Sequence, residues 1–232
     1  MATITGTPFN DFLGGTPFSD LIVGLEGNDS LYGVDDNDQI YGNQGVDLIS
    51  ANRGDDVVFG GQGNDVIFGG QNNDRIFGNR GDDQINGNRD EDQIYGGQGN
   101  DILRGGQGND QLFGDFGDDI LYGDNGSDTV TGGAGNDIFV IGASVTPNAR
   151  TTGGRRLEDA DVFTDFRMGE DLIGLTNGLR FEDLNISPGS GNQTIIQDMQ
   201  TGEFLVIVEG VNSTQLSAAN FRTVPGQFTI WV

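Results

Sequence analysis

From Gly6 to Val140 the chain repeats one nine-residue phrase without inserting or losing a residue. A clear copy is Gly60-Gly61-Gln62-Gly63-Asn64-Asp65-Val66-Ile67-Phe68, and the next two begin at Gly69 and Gly78. Fifteen copies fit the register. The sixth column is Asp throughout, the eighth is always apolar, as at Leu31, Ile67, Ile94 and Val130, and the first is Gly except at Ala51. An apolar residue at every ninth position argues against a disordered Gly/Asp linker and for a stack of identical units.

Columns one to six are turn formers, because Gly, Asn and Asp tolerate positive φ. Columns seven to nine, such as Val66-Ile67-Phe68, predict a short strand whose alternation sends column eight inward. Two repeats then close one coil of eighteen residues, and fifteen give seven and a half coils. At the usual inter-strand spacing such a rod is roughly 36 Å long.

The repeat resembles the RTX, or hemolysin-type, calcium-binding nonapeptide, over 135 of 232 residues. Beyond the repeats, Thr164-Asp165-Phe166 and Gly169-Glu170-Asp171-Leu172-Ile173-Gly174-Leu175 resemble the segment that follows them in serralysin-like C-terminal domains. The resemblance implies an all-β fold: a right-handed parallel β-roll of fifteen repeats with a C-terminal β-rich cap. The expected division is an N-terminal cap with degenerate repeats (1–23), the calcium-binding roll (24–140), a loop (141–160) and the cap (161–232).

Charge and composition agree with a cation ligand. The net charge is −25, from 36 acidic residues and 11 basic ones, all Arg. Such a surface is a poor partner for nucleic acid or an anionic membrane. With no Cys and no His, thiol and imidazole ligands, His-based triads and His-dependent zinc sites are excluded. The ligands left are hard oxygens, which suit calcium. One obligatory aliphatic per nine residues is a thin core, and stacked carboxylates repel. Without cations the segment is expected to behave as a charged, disordered chain.

Carboxylates would come from Asp29, Asp38, Asp47, Asp56, Asp65, Asp74, Asp83, Asp92, Asp101, Asp110, Asp119, Asp128 and Asp137. As the resemblance implies, one ion lies between repeats n and n+2. The first turn gives the carbonyls of columns one and three, and the second those of columns two and four. One site would join Gly60, Gln62 and Asp65 to Asn79, Gly81 and Asp83. Others would join Gly96 and Gln98 to Asp115 and Gly117, and Gly105 and Gln107 to Asp124 and Gly126. Gly133 and Gly135 would serve the last turn. Counting gaps between turns gives at most thirteen ions, and eight to twelve are expected, since column four is Phe9, Phe18, Asp36, Asn72 or Asp90 in five copies. The first two repeats are the weakest candidates. Asp161, Asp165 and Asp171 are further candidate ligands.

Column nine carries Tyr41, Phe59, Phe77, Tyr95 and Phe113 in successive even repeats, whereas Ser50, Phe68, Asn86, Arg104 and Tyr122 are mixed. The aromatic ladder either stiffens the rod by stacking or forms a face for a polysaccharide, a cell surface or a second copy. Arg53, Arg80 and Arg89 either neutralise nearby acids or replace an ion at a weak site. Phe9, Phe12 and Phe18 are expected to cover the open end of the coil. Residues 143–157, with Pro147, Arg150, Arg155 and Arg156, read as a loop. A hairpin is expected around Met199-Gln200-Thr201-Gly202, a helical turn at Leu216–Phe221 and a last strand at Phe228–Val232.

The functional expectation is a secreted, non-enzymatic calcium-binding module that folds on meeting extracellular calcium. The N-terminus does not read as a signal peptide and no apolar run is long enough to span a membrane, so export would follow the type I route. The apolar tail fits an uncleaved export signal, although it lacks the acidic residue often found before it in the protease members. An enzyme is disfavoured because no zinc motif, nucleophile elbow or phosphate loop is present. Glycan binding through the aromatic ladder is the alternative; antifreeze binding lacks the necessary ranks of Thr.

Overall fold

The structure is a computed structural model that describes residues 1–142 and 154–224. Successive strands alternate between two sheets, so each coil takes two strands. One sheet runs in parallel from Thr3–Thr5 through Val57–Gln62 to Thr129–Ala134, and the other from Phe12–Gly14 through Val66–Gln71 to Ile138–Gly142. Partners lie eighteen residues apart, as in Val57↔Arg75 and Val66↔Gln84, so a coil is two nonapeptides. The chain is a parallel β-solenoid, as its period demands.

The strands are longer than the three residues expected. Val57–Gln62 runs through columns seven to nine and on into columns one to three of the next copy. Inward and outward sides alternate along it, so the column-eight aliphatic and the column-one glycine both face in. Positive φ falls inside these strands at column two, as at Gly61 (+121°) and Asn79 (+76°), and again in the turn at Gly63 (+124°). The ladder therefore continues past the glycines, and the turn shrinks to columns four to six.

The core is a single file. Ile22, Leu31, Ile40, Ile49, Val58, Ile67, Ile76 and their successors to Val130 are fully buried. At the C-terminal end the file is closed by Phe139, whose ring lies 4.9 Å from that of Phe163 and 5.7 Å from that of Phe166. There Asp161–Phe163 joins the first sheet and Leu172–Thr176 the second, adding strands after the repeats end. The hairpin pairs Gln193–Asp198 with Phe204–Glu209, and a 3-10 turn occupies Ala218–Asn220.

The N-terminal phenylalanines do not cover the coil. Phe9, Phe12 and Phe18 are 75, 75 and 66% exposed. Phe9 and Phe18 stand at the turns, and Phe12, in column seven, points outward by strand parity, 5.1 Å from Tyr32. Pro147, Arg150 and the expected strand Phe228–Val232 lie outside the described residues.

Candidate metal centre

The column-six aspartates form two ladders, one along each edge of the solenoid. Each strand begins just after one of them, and each is walled in by the coils above and below. The main-chain N–H of Asp65 donates to Oδ1 of Asp83 at 2.7 Å, that of Asp83 to Asp101 at 2.8 Å, and that of Asp74 to Asp92 at 2.8 Å. The Asp65 carbonyl accepts from the N–H of Gln84 at 2.8 Å. Every ladder residue from Asp29 to Asp128 is buried.

Only one carboxylate oxygen of each is used. From Asp29 to Asp128, and again at Asp161, Oδ2 is buried without a hydrogen-bond partner. It points at the column-one glycine of its own repeat. A Cβ on Gly60 would stand 2.5 Å from Asp65 Oδ2 and 2.9 Å from the carbonyl oxygen of Gly78, on the next coil. Two oxygens thus converge on a small cradle, and the carboxylate one has no donor. Buried acceptors of this kind are costly unless a proton or cation meets them, so the residues present fit a hard cation. Among the described residues no three acidic side chains cluster as a metal site; the donors pair carboxylates with main-chain carbonyls instead.

Burial sets the electrostatics. It pushes Asp38 and Asp47 up to about 6, Asp56 and Asp65 to about 7, Asp83 and Asp92 to about 8, and Asp74 to about 9. Neighbouring ladder carboxylates add to the rise at Asp56, Asp74 and Asp83, whereas the main-chain N–H bond opposes it. Asp161, fully enclosed, is pushed well above the usual carboxylate range.

The residues named from sequence occupy this frame as follows. Gly60, Gly96 and Gly105 are buried column-one positions, while Gln62, Gln98 and Gln107 are exposed at the strand ends. Asn79, Asp115, Asp124 and Gly133 hold positive φ at column two, and Gly81, Gly117, Gly126 and Gly135 do so at column four. Turns n and n+2 lie in direct contact: the N–H of Gly63 donates to the Arg80 carbonyl at 2.9 Å, and that of Gly81 to the Gln98 carbonyl at 2.8 Å.

The ladder ends differ from its middle. Asp11 Oδ2 accepts from the N–H and hydroxyl of Thr7 at 2.5 and 2.9 Å, and Asp20 Oδ2 from those of Thr16 at 2.6 and 2.8 Å. The main-chain N–H of Ala2, and then the N–H and hydroxyl of Thr16, hold Asp20 below the usual carboxylate range. Here the chain supplies donors where later copies have none. Beyond the repeats, Asp161 and Asp171 continue the ladders, accepting from the N–H groups of Asp128 and Asp137 at 3.0 Å each. Asp165 instead caps the N–H groups of Gly132 and Gly133 at 2.8 Å.

The column-nine rings stack face to face. Tyr41, Phe59, Phe77, Tyr95 and Phe113 follow one another at 4.8–4.9 Å with planes within 10°. Each is half-buried, and stacked neighbours leave edges rather than faces to solvent. Arg53 pairs loosely with Asp35 at 3.6 Å, both exposed.

A family model described as "RTX calcium-binding nonapeptide repeat (4 copies)" matches residues 14–49, 41–76, 68–103 and 104–139. No curated protein sequence matches the chain. Among solved structures the chain is similar to the AlgE6R3 subunit of the Azotobacter vinelandii mannuronan C5-epimerase, solved in solution. The identity is 27%, over 58% of this chain and 78% of that one, with a TM-score of 0.42.

Proposed function

The chain belongs to the RTX calcium-binding nonapeptide repeat family, and from that premise we propose that it is a secreted structural module whose roll assembles as calcium enters the aspartate ladders. The observation that carries this reading is the row of buried, donorless Oδ2 atoms from Asp29 to Asp128. The proposed ligands are those carboxylates with main-chain carbonyls at Gly60, Gln62, Asn79 and Gly81 and their equivalents. Bound calcium supplies the positive charge that brings stacked acidic turns together.

Eight to twelve ions is the working number. The first two repeats are left out, because Thr7 and Thr16 already occupy the free oxygens of Asp11 and Asp20. Extracellular modules bind calcium at about 10⁻⁴–10⁻³ M, so the chain would stay open at cytosolic calcium and fold after export, in keeping with type I secretion. Binding and folding are then one free-energy change. Its work outside the cell would be structural rather than catalytic.

Circular dichroism after chelation, followed by calcium titration, tests the proposal. A disordered spectrum in chelator and a cooperative gain of sheet at roughly millimolar calcium are expected. Magnesium should not substitute, because it demands tight octahedral geometry and sheds water reluctantly. A full sheet spectrum in chelator at neutral pH would overturn it.

A further inference from the structure

We propose that Arg167 is a resident cation filling the last step of one ladder, so that the Asp137–Asp171 step binds no calcium until that arginine is removed. The inference rests on the reading of the ladders as calcium sites, and concerns the one step where, among the described residues, an arginine pairs with the ladder carboxylates.

Nη2 of Arg167 donates to the Gly135 carbonyl at 2.6 Å and lies 3.4 Å from both Asp137 Oδ2 and Asp171 Oδ1. The main-chain N–H of Arg167 donates to Asp171 Oδ2 at 2.6 Å, and Nη1 pairs with Glu170 at 3.2 Å. The oxygens around Nη2 are a turn carbonyl from column four, a ladder carboxylate, and the carboxylate of the following coil. At every step between Asp29 and Asp128 the corresponding ladder Oδ2 has no such donor. Both carboxylates are closed to solvent, at 0 and 1% side-chain exposure. A guanidinium stays protonated across the accessible pH range and offers several donors in a fixed fork, so this step carries positive charge whatever the calcium level.

The other ladder provides the contrast within the same molecule. Its last step joins Asp128 to Asp161 with the same main-chain bond, at 3.0 Å. Among the described residues no guanidinium pairs with it, and both Oδ2 atoms lack partners. Two steps at the same level of the rod thus differ in whether an arginine stands among their oxygens.

Counting bound calcium in the full chain at saturation, by equilibrium dialysis with atomic emission, tests the idea. Arg167→Gln is expected to bind about one more ion per chain than the wild type, and Arg167→Lys, which keeps a charge there, the wild-type number. In the wild-type background Asp171→Asn should leave the count unchanged and Asp161→Asn should lower it. An Arg167→Gln protein that keeps its sheet spectrum and gains no ion overturns the proposal. So does one that cannot fold at saturating calcium, since calcium has then failed to take the arginine's place, and so does a loss of calcium on Asp171→Asn. A wild type that binds no calcium at all overturns the ladder reading itself, a separate and recognisable result.

Discussion

The main-chain N–H of Asp65 donates to Oδ1 of Asp83 over 2.7 Å, while Oδ2 of Asp83 is buried with no donor. One carboxylate thus performs two tasks. Its first oxygen holds the coil above in register, and its second waits for a charge. Asp83→Asn separates them, because the amide keeps an acceptor for Asp65 and puts an N–H₂ where Oδ2 was. The variant should need roughly 3–10-fold more calcium to fold, a loss on the order of 1 kcal/mol. In chelator it should be slightly more ordered than the wild type, since a buried repulsion is gone. Dichroism titrations of both proteins check the pair of opposite changes; a shift in the same direction under both conditions would contradict the division.

The cradle at column one yields a second expectation. A methyl on Gly60 would meet Asp65 Oδ2 at 2.5 Å, the Gly78 carbonyl at 2.9 Å and Ile67 Cδ1 at 3.0 Å. Ala51, fully buried in the same column, shows that the roll accommodates one such methyl. Gly60→Ala should therefore fold, at a cost of about 1–3 kcal/mol from crowding, and lose calcium at that step. Unchanged calcium stoichiometry in the folded variant would mean that the cradle is not where the ion's oxygens converge.

Much of this was legible in the sequence, because a nine-residue period fixes both the coil and the inward column. Strand length was not. Glycines read as turn formers, and column-one Gly60 is in fact a strand residue whose missing side chain makes room for a carboxylate. The N-terminal phenylalanines misled for a related reason: parity and turn position put Phe12 and Phe18 outside, and hydrophobicity alone does not reveal parity. The continuation of the ladders through Asp161 and Asp171 escaped the period, because insertions replace the eighteen-residue step by 33 and 34 residues. The local phrase Gly169-Glu170-Asp171-Leu172-Ile173 still carries columns four to eight, and that was the usable signal. Nothing in the pattern announced Arg167, which acts through a contact far from its neighbours in sequence.

Acid should partly replace calcium. Burial raises Asp47 to about 6, Asp83 to about 8 and Asp74 to about 9, whereas carboxyls in an unfolded chain titrate near about 4. The ion-free folded ladder therefore holds protons that the unfolded chain has released. Its stability is fully present below about pH 4 and is lost as pH rises through the 6–9 range. Calcium has the opposite requirement, since it binds the ionised form. Lowering the pH from 8 to 5 should thus increase sheet content in chelator, while in the folded chain proton competition raises the calcium needed for half-saturation by at least about tenfold. Chelator spectra that match at the two pH values would refute the linkage.

Phe77 lies between Phe59 and Tyr95, 4.9 Å from each ring, with interplanar angles of 7 and 8°. Its faces are taken up by its neighbours, so its contribution belongs to the rod. Aromatic pairs contribute about 0.5–1.5 kcal/mol beyond area burial, and Phe77→Ala breaks two of them, which places the expected loss at about 1–3 kcal/mol. The calcium-loaded variant should melt earlier yet bind as many ions, because column nine faces away from the ladders. Binding to polysaccharide, if present in the wild type, should survive, since an inner ring shows solvent only its edge. An unchanged melting temperature together with lost polysaccharide binding would reverse this assignment and make the aromatic row a recognition face.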